Sequence, residues 1–297
     1  MPPSARRFFP SLSATVAKLT GNVQLTSADG RPLFSLRDVN ALPVEEKNRI
    51  YGGLIPSRLF ELFAISPLTF CGADGGEKVK VIAPAGLGLM RMEVRLHPDD
   101  RDAVFFLDIT ETHYRQMDLA FCIITDPRAP RFDVDMDSAG QNNYFATHGR
   151  NLAEEERSMA AGLFPNQTRR GLRMFGEFFT LFERFVDSLG MEMIVAEPLT
   201  YDNAVRYEKF GFDYLTGRRL MEAINGWFQP GGELTLRLDG STPFRCPGQE
   251  KTVRGRSWAI HDGIMDEPWD DVLIYKMVGE SAGINTFPDR ENEKEFP

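Results

Sequence analysis

A long amphipathic helix in the second half of the chain limits the possible folds more than any other segment. Apolar side chains recur at helical spacing over residues 170–189, namely Leu172, Phe175, Phe179, Phe182, Val186 and Leu189. This spacing predicts a helix with one apolar face that must be buried against another layer. Gly190 is placed to end it.

Strands and helices alternate after this helix. A short apolar strand is predicted at residues 191–196, and a short helix ends at Lys209, with Thr200 or Asp202 as its N-cap. Another strand begins near Phe212. The order strand, helix, strand, helix, strand therefore follows whatever precedes residue 170.

Strand signals dominate the region before the helix. Turn residues separate five predicted strands at 79–83, 91–96, 103–109, 119–125 and 132–137, and a helix is predicted at 151–162. Short connections favour an antiparallel meander. The predicted fold is α+β, with a mixed, mostly antiparallel sheet flanked by helices and an N-terminal extension.

The two ends of the chain are harder to interpret. A hairpin at 22–26 and 32–36 and helices at 44–51 and 57–65 are predicted near the start, and three strands between Glu233 and Met277. Residues 1–20 are expected to be flexible and 281–297 to form a mobile charged tail. Residues 21–77 form either an extension or the first part of the domain at 78–280.

Composition limits the function classes. The 297 residues are 42% apolar and 26% charged, which is typical of a soluble globular protein. The net charge of -9 argues against a nucleic-acid partner, and no apolar run is long enough to span a membrane. Small molecules with basic groups are the expected partners, and the oligomeric state is not indicated.

Cysteine and histidine positions favour a reducing compartment and no metal. The cysteines are odd in number and far apart at Cys71, Cys122 and Cys246, which predicts a cytoplasmic protein. The first 28 residues carry basic but no acidic side chains, so organelle targeting is the alternative. No histidine pair has metal-ligand spacing. Cys122 is interpreted as a buried strand cysteine.

Two motifs indicate chemistry. The segment 167–173, Gln-Thr-Arg-Arg-Gly-Leu-Arg, opens the long helix, where free N–H groups and arginines can receive a pyrophosphate. The segment 203–212 places Asn203 and Tyr207 four residues apart on one helix face before Gly211-Phe212. The alternatives are an ordinary helix start with solvated arginines and a core tyrosine before a helix stop.

Together these motifs resemble the GNAT superfamily of acyl-CoA N-acyltransferases. The resemblance implies transfer of an acetyl or other acyl group from acyl-CoA to an amine or amino-acid-like acceptor, with Tyr207 protonating the leaving thiolate. It implies CoA binding by Thr168, Arg169, Arg170, Gly171, Leu172, Arg173 and Asn203. The sequence departs from the family pattern at Thr168, where Gln or Arg is usual, and at Arg173, where Gly or Ala is usual.

The base and the acceptor are less clearly marked. Glu197, which follows the strand 191–196, and His148 are the candidates for a base, and a loop carboxylate is an equal interpretation of Glu197. Alternation in the segment 132–137 puts Asp133, Asp135 and Asp137 on one strand face. Asp133 and Asp135 are candidate ligands of a cationic acceptor such as a polyamine, aminoglycoside or lysine-like amine, and a solvated strand face is the alternative.

Three functions remain open from the sequence. The first is amine acylation from acetyl-CoA or another acyl-CoA by direct attack. The second resembles N-acyl amino acid or acyl-homoserine lactone synthesis with a longer acyl chain. The third is a non-catalytic acyl-CoA-binding regulatory module.

Overall fold

A computed structural model describes residues 23–137, 139–144 and 149–288. Seven strands form one sheet: β1 Val79–Ile82, β2 Leu89–Val94, β3 Phe105–Glu111, β4 Met117–Ile124, β5 Met193–Ala196, β6 Asp213–Thr216 and β7 Leu273–Met277. Their order is β1-β2-β3-β4-β5-β7-β6. Neighbours are antiparallel except β4 and β5, which are parallel. The predicted α+β class with a mostly antiparallel, helix-flanked sheet is confirmed.

Helices surround this sheet. They are α1 Leu36–Asn40, α2 Val44–Gly52, α3 Ser57–Leu62, α4 Leu152–Ala160, α5 Phe175–Ser188, α6 Tyr201–Glu208, α7 Arg218–Trp227, α8 Glu233–Leu236 and α9 Val253–His261. In the part of the chain that the structure describes, none is long and apolar enough to cross a membrane. Residues 1–20, predicted to be flexible, and His148, a candidate base, lie outside the described residues, as does the predicted tail beyond Pro288.

The core lies between α5 and one face of the sheet. Helix α5 buries Phe178, Phe179, Phe182, Phe185 and Val186, as its apolar periodicity predicts. The rings of Phe178 and Phe105 on β3 meet edge to face, 5.7 Å between centroids. The same apolar cluster includes residues of α1, α2 and α3. The N-terminal helices therefore share this core.

Two predicted strand regions are wrong. Residues 132–137 form a turn with a single bridge between Met136 and Asn142, because the Met136 N–H bonds the Asp133 carbonyl 3.2 Å away instead of a neighbouring strand. Near the N-terminus only one bridge, Thr26 to Pro32, forms in place of a hairpin, and Ser35 caps α1.

The secondary structure predicted for the C-terminal region is mostly wrong. Of three strands predicted between Glu233 and Met277, only β7 is present, and α8 and α9 occupy the rest. Helix α9 is started by Thr252, whose side chain accepts a hydrogen bond from the Gly255 N–H. Its nearly uniform burial hides the helical periodicity that would have marked it in the sequence.

Candidate functional site

Strands β4 and β5 part soon after they pair. Their parallel register joins Met117 to Ile194 and Asp118 to Val195. Beyond Asp118, no strand in the described chain pairs with β4 on that side, although β3 still pairs with it on the other. A bulge at Ala120 interrupts the β3 register where the strands separate. The outer half of β4 therefore has a backbone edge without a strand partner.

A cleft opens where the strands part. It has a volume of about 200 Å³ and is lined by residues 121–125 of β4, by a loop within 165–175 and by residues within 199–206 at the start of α6. Because β4 and β5 are parallel, their carboxyl ends lie on the same edge of the sheet, where open α/β sheets hold ligands. Of the residues implied to bind CoA, Thr168, Arg169, Gly171, Arg173 and Asn203 line this cleft.

The loop before α5 differs from the prediction. The helix starts at Phe175 rather than residue 170, because Arg173 has a φ of 57°, which an α-helix cannot contain. Gly171 instead bridges to Thr125 at the end of β4. A Cβ on Gly171 would lie 3.2 Å from the Ile124 carbonyl oxygen, so this glycine permits a close approach of loop and strand.

Two loop residues at the cleft have left-handed backbones. Asn166 has a φ of 61° and Arg173 a φ of 57°, and both line the cleft. This conformation is uncommon for side chains other than glycine, and it occurs often at binding sites. Arg173 is exposed, and its side chain makes no ion pair or hydrogen bond with any described residue. Its guanidinium is therefore available to an anion.

The other arginines have different surroundings. Arg169 donates to Asp102 at 3.0 Å and to the Ala129 carbonyl at 2.5 Å, so it holds the loop in place. Arg206 lies 4.0 Å from Asp202. Arg170 points to solvent and Leu172 packs against the core, and neither lines the cleft.

The N-termini of helices α5 and α6 both lie at the cleft. Neither α5 at Met174 nor α6 at Thr200 has a side-chain N-cap hydrogen bond. Their first N–H groups lack partners within the helix and carry partial positive charge. With three arginines and one aspartate in its wall, the cleft carries an excess of positive charge in an acidic protein. This combination suits an anionic group.

Tyr207 lies beside the cleft among aromatic rings. Its ring centroid is 4.9 Å from that of Phe212 and 5.9 Å from that of Phe175. Burial raises the pKa of Tyr207 well above its usual value. Its hydroxyl has no hydrogen-bond partner among the described residues. Tyr207 is thus protonated at neutral pH.

Asp118 was missed by the sequence analysis. It is half-buried on β4 at the last pair with β5, and it has neither a hydrogen bond nor an ion pair within the described chain. Burial, then the charges of Glu197 and Asp108, raise the pKa of Asp118. Glu197 itself is exposed after β5. Only the strand register reveals Asp118, because its sequence neighbours carry no motif.

Asp133 and Asp135 are neutralised by the chain itself. Arg131 contacts Asp133 and lies 2.7 Å from Asp135, and Arg101 lies 2.9 Å from Asp133. Arg131 also pairs with Asp102 at 2.9 Å. Neither aspartate lines the cleft. The compensating cations predicted for these carboxylates are therefore arginines of this protein.

Two other kinds of reactive group were considered, the Cys122 thiol and clusters of metal-binding side chains. Cys122 lines the cleft on β4, and burial raises the pKa of its thiol, which disfavours a nucleophilic thiolate. Among the described residues, no three histidine, cysteine, aspartate or glutamate side chains are grouped to hold a metal ion.

Comparison of the chain with protein-family models, curated proteins and solved structures found no match.

Proposed function

We propose that this protein is an acyl-CoA-dependent N-acyltransferase with a GNAT-like fold. It would transfer an acetyl or other acyl group from acyl-CoA to an amine. The observation that carries the proposal is the parting of parallel strands β4 and β5 after Asp118, which leaves the outer edge of β4 without a strand partner beside a cleft. That edge offers amide groups to the amide-containing arm of CoA.

The positive end of the cleft supports a pyrophosphate subsite. Arg173 is the exposed cation there, and the uncapped N-terminus of α5 follows it directly. Backbone N–H groups at a helix N-terminus bind phosphate without a dedicated side chain. The proposed subsite thus begins two residues later than the sequence motif implied, at 173–176 rather than at Gly171.

Tyr207 and Asp118 supply the proton transfers in this proposal. Asp118 accepts a proton from the acceptor ammonium, and the neutral amine nitrogen then forms a bond to the thioester carbonyl carbon as the carbon–sulfur bond breaks. Tyr207 donates its proton to the leaving sulfur, and the nitrogen gives up its second proton to solvent or to the resulting tyrosinate as the amide forms. Asp118 suits the role of base better than the exposed Glu197, because its raised pKa brings it closer to neutrality.

A thiol-release assay tests the proposal. Wild-type protein is incubated with acetyl-CoA or longer acyl-CoAs across a panel of cationic and neutral amines. Tyr207→Phe is expected to lower turnover by about tenfold to a thousandfold, whereas Tyr114→Phe, at an exposed tyrosine, serves as the matched control. CoA binding without thiol release from any amine would favour the non-catalytic module, and release only from long acyl-CoAs would favour the synthase-like function.

A further inference from the structure

A second cavity adjoins the cleft at the start of α6. It has a volume of about 330 Å³ and shares Asn166, Leu199 and Thr200 with the cleft. The rest of its wall comes from Arg150, from Tyr201, from α9 and from residues within 263–269. The shared wall residues make the two cavities neighbours, which is the arrangement that a single extended ligand requires.

Thr200 carries an unsatisfied hydroxyl at the boundary of the two cavities. Its side chain is 9% exposed, and its Oγ1 atom has no hydrogen-bond partner within the described chain. The hydroxyl does not cap α6 either, although Thr200 occupies the N-cap position. Buried polar groups are normally hydrogen-bonded. This hydroxyl therefore lacks a partner inside the described chain.

Trp269 gives the second cavity a rigid aromatic wall. Its Nε1 donates to the Pro198 carbonyl at 2.9 Å, and its ring meets that of Tyr201 edge to face. These two contacts fix the indole while leaving it partly exposed. A fixed, partly exposed indole face suits a planar ring.

The charges of this cavity favour a neutral ligand over a phosphate. Arg150 lies between Glu155 and Asp262, at 2.5 and 2.7 Å, so its charge is already balanced. His261 faces the same Glu155 at 3.3 Å. Glu267 adds an exposed carboxylate that has no partner among the described residues. A phosphate would meet no unbalanced arginine or lysine in this wall.

We propose that the second cavity binds the adenine ring of CoA, an inference that rests on the proposed function. A cleft of about 200 Å³ is below the roughly 300–1,000 Å³ that encloses a drug-sized ligand. The nucleotide of CoA therefore needs further space. The acyl end lies where β4 and β5 part, and the nucleotide end lies outward, beside Thr200. The adenine stacks on Trp269 and bonds the Thr200 hydroxyl, while the 3′-phosphate stays outside the cavity.

Titration calorimetry with fragments of CoA tests this placement. CoA, dephospho-CoA and pantetheine are titrated into wild type, Trp269→Leu and Thr200→Val, with Trp227→Leu on α7 as the matched control because Trp227 does not line the second cavity. Trp269→Leu should weaken CoA and dephospho-CoA alike by about fivefold or more, as expected for a lost base stack. Pantetheine binding should change by less than twofold in this variant. Thr200→Val should weaken both nucleotides, since it keeps the volume and removes the hydroxyl.

Each contrary outcome has its own meaning. Equal loss of CoA and pantetheine affinity in Trp269→Leu, with the unfolding temperature unchanged, would overturn the adenine site but leave the proposed function standing. Absence of CoA binding to wild type would overturn both proposals. A change in dephospho-CoA affinity much smaller than that for CoA would place the 3′-phosphate in the cavity, contrary to the inference.

Discussion

Arg173 combines two properties that substitution can separate. Its φ of 57° lies in the region that favours glycine, and its exposed guanidinium lines the cleft. Arg173→Ala removes the charge and keeps the unfavourable backbone, Arg173→Gly removes both, and Arg173→Lys keeps both. The three variants therefore report separately on folding stability and on anion binding.

The stability effect is set by two opposing backbone contributions. The left-handed conformation costs a residue with a Cβ about 1–2 kcal/mol, whereas a glycine adds about 0.4–1 kcal/mol of conformational entropy to the unfolded chain. Arg173→Gly should therefore raise the free energy of unfolding by about 0–1.5 kcal/mol, or the melting temperature by a few degrees. Arg173→Ala and Arg173→Lys should change it by less than about 0.5 kcal/mol.

The binding effect follows from the charge. An arginine about 5 Å from a doubly charged pyrophosphate in water-like surroundings gains about 1–2 kcal/mol, so Arg173→Ala should weaken CoA binding by about fivefold to thirtyfold. The loss should shrink at high salt. Calorimetric titration and thermal unfolding measure the two effects on the same samples. Wild-type affinity in a folded Arg173→Ala variant at low salt would refute the pyrophosphate subsite.

Three further substitutions address other parts of the site. Asp118→Asn should lower turnover by at least about tenfold. Because the folded state raises the pKa of Asp118, the charged carboxylate destabilises the fold, so the variant should have a higher melting temperature than wild type at pH 7. This difference in melting temperature should vanish as the pH falls towards 3.8. Asp102→Asn should lower the free energy of unfolding by about 1–3 kcal/mol at pH 7. Burial alone would raise the pKa of Asp102, but Arg131 and Arg169 lower it overall. In urea unfolding, the difference in stability between wild type and variant should therefore shrink as the pH falls below 3.8. Asp135→Asn should leave the ratio of rates for cationic and neutral amines unchanged at low and high salt, since Arg131 and Arg101 already neutralise this carboxylate; a shifted ratio would restore Asp135 as an acceptor ligand.

Patterns with a regular period predicted the central elements of the fold. The phenylalanine spacing of α5 and the apolar runs of β1 to β5 correspond to elements in the structure, since each buries one face or lies between neighbours. The predicted start of α5 was wrong because Arg173 adopts a positive φ. The sequence does not reveal a positive φ in a residue other than glycine. Helix α9 was missed because it is buried on nearly all sides.

The candidate site was predictable where it is local in sequence. Thr168, Gly171, Arg173 and Asn203 lie in two motifs and come together at the cleft. Asp118 was not predictable, because its significance comes from the register of β4 against β5, in which Asp118 pairs with Val195, 77 positions further along the chain. The ion pair of Asp133 was not predictable for a related reason, because its partner Arg101 is distant in sequence.

Hydrogen exchange with and without CoA tests the central claim most directly. If the outer half of β4 and the loop before α5 hold the CoA arm and pyrophosphate, saturating CoA should slow amide exchange in peptides covering 117–125 and 165–176. Exchange in β1, which lies at the far edge of the sheet, should stay the same. Slower exchange in both segments is the predicted result. Unchanged exchange in both segments, or protection confined to other parts of the chain, would contradict an acyl-CoA site between β4 and β5.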